Sequence, residues 1–251
     1  MTTDARTVLV SGASGAIGKA TVAAFLRAGL RVVGLDRAVA EGTDARYRHV
    51  VVELTNESEV SQAVADGLGD GSLTHLVGLA GGALPAEPAA VADPGTIEIE
   101  TFRASVEANL TSQFVVLRAC LPRFTDVDSL DRSVTFTSSF NALSAQGMPA
   151  YSAAKAGLIG LMYGLVEPLG SRGIRVNVVA PGTVRTPRTD ALWAGVPGHF
   201  DRLEAGSALR RLAEPTDIAD TFVALALNLR HVTGQVVTVD GGQTVVHGAR
   251  G

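Results

Sequence analysis

The chain has 251 residues, 46% of them apolar and 18% charged, which excludes a disordered polypeptide and leaves material for a large buried core. Its formal charge of -4 comes from 21 basic and 25 acidic residues that are interleaved rather than blocked, which excludes a nucleic-acid stripe and an anionic-membrane patch. No apolar run approaches the roughly 18 residues of a membrane span, the one cysteine, Cys120, has no internal partner, and Met1–Arg6 lacks the apolar core of a signal peptide, so the expected compartment is the cytoplasm.

Strand-length apolar runs alternate with segments of helical spacing. The first predicted strand, Thr7–Ser11, leads into a glycine-rich turn and a helix that starts near Ala16. Strands follow at Arg31–Leu35 and His49–Glu53, a helix near Glu57, a strand at His75–Leu79, a loop over Gly81–Gly95 and a helix near Glu100. Further on come strands at Ser133–Ser138 and Ile174–Val179, with a helix from about Ala150 before the second of them. A segment at Arg185–Ala208 holds the only tryptophan, Trp193, and borders a substrate region near 185–208. A helix at Pro215 and a strand at Val236–Val239 complete the pattern, the proline suiting a first helical turn. Most of these strands are too uniformly apolar for a sheet with one wet face. No linker interrupts the rhythm, so residues 1–251 read as one α/β domain: a doubly wound parallel sheet of about seven strands with helices on both faces. Five histidines and one cysteine, far apart in sequence, give no metal-ligand spacing.

Ser11-Gly12-Ala13-Ser14-Gly15-Ala16-Ile17-Gly18 connects a strand to a helix. Glycines there let backbone N–H groups approach a pyrophosphate, and the helix N-terminus adds partial positive charge. Asp36, at the end of the next strand, offers a carboxylate to the adenosine ribose hydroxyls and repels a 2′-phosphate, which favours NAD over NADP. Arg37 beside it works the other way, because a guanidinium accommodates a phosphate.

Tyr151-Ser152-Ala153-Ala154-Lys155 opens a helical segment, so phenol and ammonium share one face. A tyrosine of pKa near 10 is a poor base at neutrality; closing that gap takes about three units, or about 4 kcal/mol, and a neighbouring cation acts in the right direction. Only two lysines, Lys19 and Lys155, occur among the 21 basic residues, so a Tyr-x-x-x-Lys pair has about a 2% chance of arising by coincidence.

Together, the glycine turn, Asp36 and the Tyr151/Lys155 pair resemble the short-chain dehydrogenase/reductase family over essentially the whole chain. The resemblance implies a Rossmann-like fold, a homotetramer built on two long central helices, and hydride transfer between NAD(H) and a secondary alcohol or ketone. It implies Tyr151 as general acid/base, Lys155 at the nicotinamide ribose, and Asn109 of Glu107-Ala108-Asn109-Leu110 as the residue that holds a relay water. In Thr137-Ser138-Ser139 the local pattern favours Ser139 as the catalytic serine, while the commonest family spacing selects Ser138. Pro181-Gly182-Thr183-Val184-Arg185-Thr186 is similar to the segment that grips the carboxamide, through Pro181, Gly182, the Val184 backbone and the Thr186 hydroxyl. Glu53 and Leu54 are expected beside the adenine, and Ala80 and Gly81 beside the adenosine ribose.

Three positions depart from the family pattern. Ala16 replaces a glycine of the turn, Glu53 replaces an aspartate, and Gly78-Leu79-Ala80-Gly81 replaces Asn-Asn-Ala-Gly, removing two structural amides. Trp193, Phe200, Leu192 and Met148 are candidates for an apolar substrate wall. Two other readings use the same residues: an NADPH-dependent reductase similar to the 3-oxoacyl-carrier-protein reductases, and a dinucleotide-binding regulator without turnover.

Overall fold

Strand β1 (Thr7–Ser11) is buried at all five positions, and β4 (His75–Gly78), β5 (Arg132–Thr137) and β6 (Ile174–Pro181) are buried throughout. Runs without a wet face pair in parallel beneath helices on both sides. The remaining strands are β2 (Arg31–Asp36), β3 (Tyr47–Val51) and β7 (Val236–Val239). The computed structural model describes residues 6–40, 42, 44–87, 93–124, 131–144 and 147–245, and in it the seven strands form one parallel sheet of order β3-β2-β1-β4-β5-β6-β7. The edge strands β3 and β7 are only partly buried, as edges that meet solvent must be.

Side chains that alternate along β1 feed two cores. Leu9 joins the one covered by α2 (Glu57–Leu68), α4 (Ser112–Cys120) and α5 (Pro149–Gly170); Val8 and Val10 join the one covered by α1 (Ala16–Arg27) and α8 (Pro215–Val223). Phe25 of α1 and Phe222 of α8 are fully buried on that second face, where truncation of either to alanine costs about 3–5 kcal/mol. Local chemistry starts the helices. Asn56 Oδ1 accepts the Glu59 N–H at 3.3 Å ahead of α2, and Asp217 Oδ2 accepts the Glu214 N–H at 2.8 Å, with Pro215 as first residue of α8.

Four differences from the sequence-based expectations have physical causes. β3 begins and ends two residues early, because its ladder partner β2 ends at Asp36 opposite Val51. β4 stops at Gly78 and β5 at Thr137, so Leu79 and Ser138 lie in loops. The helix expected near Glu100 starts at Ile99 as α3 (Ile99–Val106) and reaches α4 through a π-helical turn at Glu107–Thr111, with the buried Asn109 inside it. The 185–208 segment forms two short helices, α6 (Pro187–Trp193) and α7 (His199–Ala205), the first begun by Thr186, whose Oγ1 accepts the Thr189 N–H at 3.1 Å. The expected 81–95 loop is irregular over 81–87 and closes with a 3₁₀ turn at Pro94–Thr96; residues 88–92 lie outside the described residues. Among the described residues no helix is long and apolar enough to cross a membrane, and no cluster of His, Cys, Asp and Glu could hold a metal ion.

Candidate active site

Sheet growth reverses between β1 and β4, and the loops beyond their carboxyl ends part there. The cleft between them has a volume of about 980 Å³, at the large end for ligand pockets. One wall is the glycine turn, with Gly12, Ser14, Gly15, Ala16, Ile17 and Gly18 all lining it. Gly12 has φ +75°, and a Cβ on it would stand 2.7 Å from Ala80 N. A Cβ on Gly18 would stand 2.1 Å from Gly12 O, so the turn folds onto its own backbone and onto the β4 loop. Gly15 precedes α1 without a capping side chain, which leaves the first N–H groups of a 12-residue helix open to the cleft.

Asp36 stands at the far end of this wall. Its Oδ2 accepts the Ser14 N–H and its Oδ1 the Ala38 N–H, each at 3.0 Å, so the carboxylate is oriented while each oxygen keeps further acceptor capacity. Arg37, Glu53 and Leu54 line the same end. Ala80 and Gly81 face them from the β4 loop, and Pro181, Gly182, Val184 and Thr186 close the opposite end. An uncapped helix N-terminus over a glycine cradle, with a held carboxylate beyond it, fits a dinucleotide.

The missing amides of the β4 loop are supplied from elsewhere. Gln113 of α4 reaches under the strand, where its Nε2 donates to Ala80 O at 3.1 Å; a Cβ on Gly78 would stand 2.5 Å from Gln113 Oε1. Asn109 accepts the Gly82 N–H on Oδ1 at 2.7 Å, and its Nδ2 donates to Ser105 O at 2.9 Å. Its side chain is turned into this loop and is absent from the lining of the cleft.

Tyr151 and Lys155 lie one turn apart on α5, with the Lys155 Nζ 5.7 Å from the centre of the phenol ring. Lys155 is 3% exposed and donates to Thr137 O at 2.9 Å. Burial, with help from the nearby Arg188 charge, lowers its pKa to about 7. Burial also raises Tyr151 above its ordinary value, while the neighbouring Ser139 hydroxyl and Arg188 pull it down and Glu87 pushes it up. The expectation that the ammonium draws the phenol to neutrality is therefore not met in the free chain, because desolvation opposes charge on both groups. The two candidate serines part company: Ser138 Oγ donates to Lys155 O at 2.7 Å and ties β5 to α5, whereas Ser139 faces Tyr151.

Above this constellation lies the α6–α7 segment. Met148, Leu192 and Trp193 line the cleft as expected, but Phe200 does not; His199 takes its place, stacked on Trp193 at 4.2 Å, while Phe200 lies outside under Arg185. Arg188, not singled out from the sequence, donates to Gly81 O at 3.2 Å and Ala83 O at 2.8 Å and holds α6 against the β4 loop. Its position two residues after Thr186 is the signal that would have found it.

Cradle, oriented carboxylate and Ser/Tyr/Lys cluster define an oxidoreductase of the doubly wound α/β class that works on a nicotinamide dinucleotide. A family model described as enoyl-(acyl carrier protein) reductase matches residues 12–244, and the chain belongs to the short-chain dehydrogenase/reductase family. It is 32% identical to a 3-oxoacyl-[acyl-carrier-protein] reductase of Synechocystis, with 96% of this chain and 98% of that one covered. It is also 32% identical to the cis-4-hydroxycyclohexanecarboxylate dehydrogenase of Sinomonas cyclohexanicum, with 96% and 97% covered. Among solved structures, a Burkholderia thailandensis oxidoreductase of the same family superposes with a TM-score of 0.86 at 36% identity, covering 98% of this chain and 95% of that one. The chain is thus an oxidoreductase acting on CH–OH or keto groups.

Proposed function

We propose that the protein transfers a hydride between NAD(H) and a secondary alcohol or ketone, with Tyr151 exchanging the proton. The observation that carries this reading is that Tyr151, Lys155, Ser139 and Asp36 line one cleft, with Asp36 at the end of β2 and Ser139 just past β5, on opposite sides of β1 and β4. Bound nicotinamide supplies the hydride donor or acceptor. Ser139 hydrogen-bonds the substrate oxygen, and Tyr151 gives up its proton to a ketone or, as phenolate, takes one from an alcohol. Lys155 holds the ribose and, with a pKa of about 7, exchanges protons at neutrality. Burial favours the neutral phenol, so the free chain is already protonated for reduction. Oxidation must first remove that proton, so its rate rises with pH while that of reduction falls.

Asp36 favours NAD in this reading: its carboxylate, held by the Ser14 and Ala38 N–H groups where it lines the cleft, can accept from ribose hydroxyls and repels a 2′-phosphate. Tyr151→Phe tests the acid/base assignment: turnover should fall by about 10²–10⁴-fold with NADH binding retained, read as energy transfer from Trp193, the only tryptophan. Undiminished turnover defeats it. Initial rates that favour NADPH over NADH tenfold would replace NAD by NADP. Arg37 at the same rim supports that second reading, an NADPH-dependent reductase of the 3-oxoacyl-carrier-protein kind. We carry the tetramer as part of the proposal: Phe114 of α4 and Tyr163 of α5 are 43% and 63% exposed, and sedimentation as a monomer would remove it.

A further inference from the structure

Glu87 ends the described part of the β4 loop and has no solvent exposure. No arginine or lysine among the described residues pairs with it. Its charge is met by three neutral donors instead. Oε1 accepts the Leu84 N–H at 3.1 Å and the Ser105 hydroxyl at 2.9 Å, and Oε2 accepts the Tyr151 N–H at 2.8 Å. Those donors belong to three parts of the fold: the loop itself, α3, and the first turn of α5.

The first turn of α5 needs such a partner. Met148 precedes it in the left-handed region at φ +51° and offers no capping side chain, and Pro149 has no N–H to give. A carboxylate facing the Tyr151 N–H satisfies an orphan donor and complements the helix dipole. Ser105, the partner on α3, accepts on its carbonyl from Asn109 Nδ2, and Asn109 Oδ1 takes the Gly82 N–H. The contacts close a ring: Glu87, Ser105, Asn109, Gly82, and back along the loop to Glu87. The ring is hydrogen-bonded to the backbone of the residue whose phenol reacts.

We propose that Glu87 is a positioning residue for Tyr151, a buried clamp that holds the first turn of α5 to α3 and the β4 loop so that the phenol keeps its place beside Ser139 and Lys155. The proposal deepens the functional reading above and rests on Tyr151 as general acid/base. A carboxylate suits the task where an amide does not. A glutamine has one acceptor oxygen, so its NH₂ would face either the Tyr151 N–H or the Leu84 N–H. The Glu87 charge also opposes ionisation of the phenol, against the pull of Arg188 on α6; Lys155 on α5 is the other ionisable group near the ring.

The test is Glu87→Gln, assayed with any secondary alcohol that the wild type oxidises. We expect kcat to fall at least fivefold, the coenzyme KM to stay within twofold, and the pH midpoint of oxidation to move down, because a negative charge near the phenol has gone. A kcat within twofold of wild type overturns the proposal, as does a loss of activity matched by a loss of folded protein with the midpoint unmoved. Where E87Q does not fold, Ser105→Ala removes one donor and leaves the carboxylate; a threefold fall in kcat at constant coenzyme KM supports the clamp, and an unchanged kcat overturns it. Tyr151→Phe, run alongside, separates the two levels: full activity there defeats the acid/base reading itself, whereas an inactive Y151F with an unaffected E87Q defeats only the clamp.

Discussion

Folding lowers the proton affinity of Lys155. Burial, with Arg188 adding to it, lowers the ammonium pKa from an ordinary 10.5 to about 7. Between those values the unfolded chain carries a proton that the folded chain lacks, so folded-state stability rises with pH through this window and is smallest at and below pH 7. A one-proton difference is worth about 1.4 kcal/mol per pH unit, which amounts to about 2 kcal/mol between pH 7 and pH 9. Tyr151 and Cys120, both raised by burial, have the opposite sign but act only above their ordinary values of 10.0 and 9.0. Lys155→Met keeps the length and apolar stem while removing the titration. It also loses the bond to Thr137 O, a deficit that shifts the curve equally at every pH. Urea unfolding of both proteins at pH 7, 8 and 9 should show the wild type gaining on the variant by about 2 kcal/mol across the range. A difference that stays constant to within about 0.5 kcal/mol would refute the claim that burial deprotonates this lysine.

Asp36→Ala should raise the NADH KM by roughly 10- to 100-fold, the worth of one charge-assisted hydrogen bond of about 1.5–3 kcal/mol, and move preference toward NADPH; paired steady-state assays decide it. Arg175 donates from all three of its nitrogens, to Asp131 at 2.8 and 2.9 Å and to the carbonyls of Leu225, Ala226 and Val232. Arg175→Met strands that carboxylate and should cost about 3–5 kcal/mol in urea unfolding, and a loss under about 1 kcal/mol would contradict the ledger of contacts. Gly78→Asn, which restores the family residue, drives a Cβ to 2.5 Å from Gln113 Oε1 and should destabilise by about 1–3 kcal/mol; adding Gln113→Ala should recover part of that, a coupling that a double-mutant cycle measures.

Strand and helix positions were legible because burial imposes a period. β1, β5 and β6 are buried on both faces since helices cover both faces, and the starts of α1, α2 and α8 at Ala16, Glu57 and Pro215 agree with the residues read from sequence. The glycine turn and the Tyr151/Lys155 pair were legible for a related reason, since each is a local spacing within one loop or one helix. Glu87 left no such trace. A lone carboxylate in an Ala/Pro-rich loop looks solvated until α3 and α5 are packed over it, and its partners Ser105 and Tyr151 lie 18 and 64 residues away. The exchange of strand amides for Gln113 was hidden likewise, because a gap at Gly78 and a side chain 35 positions on become one feature only when α4 lies against β4.

From the order of residues alone come the parallel sheet, the glycine-rich turn, the acidic strand end and the tyrosine paired with its lysine, all features written within one element or at the junction of two. Three-dimensional packing alone decided which serine faces the phenol, where Asn109 turns, and the proton affinities of Tyr151 and Lys155. Those depend on desolvation and on neighbours brought together from distant segments, and no period in a linear chain records either.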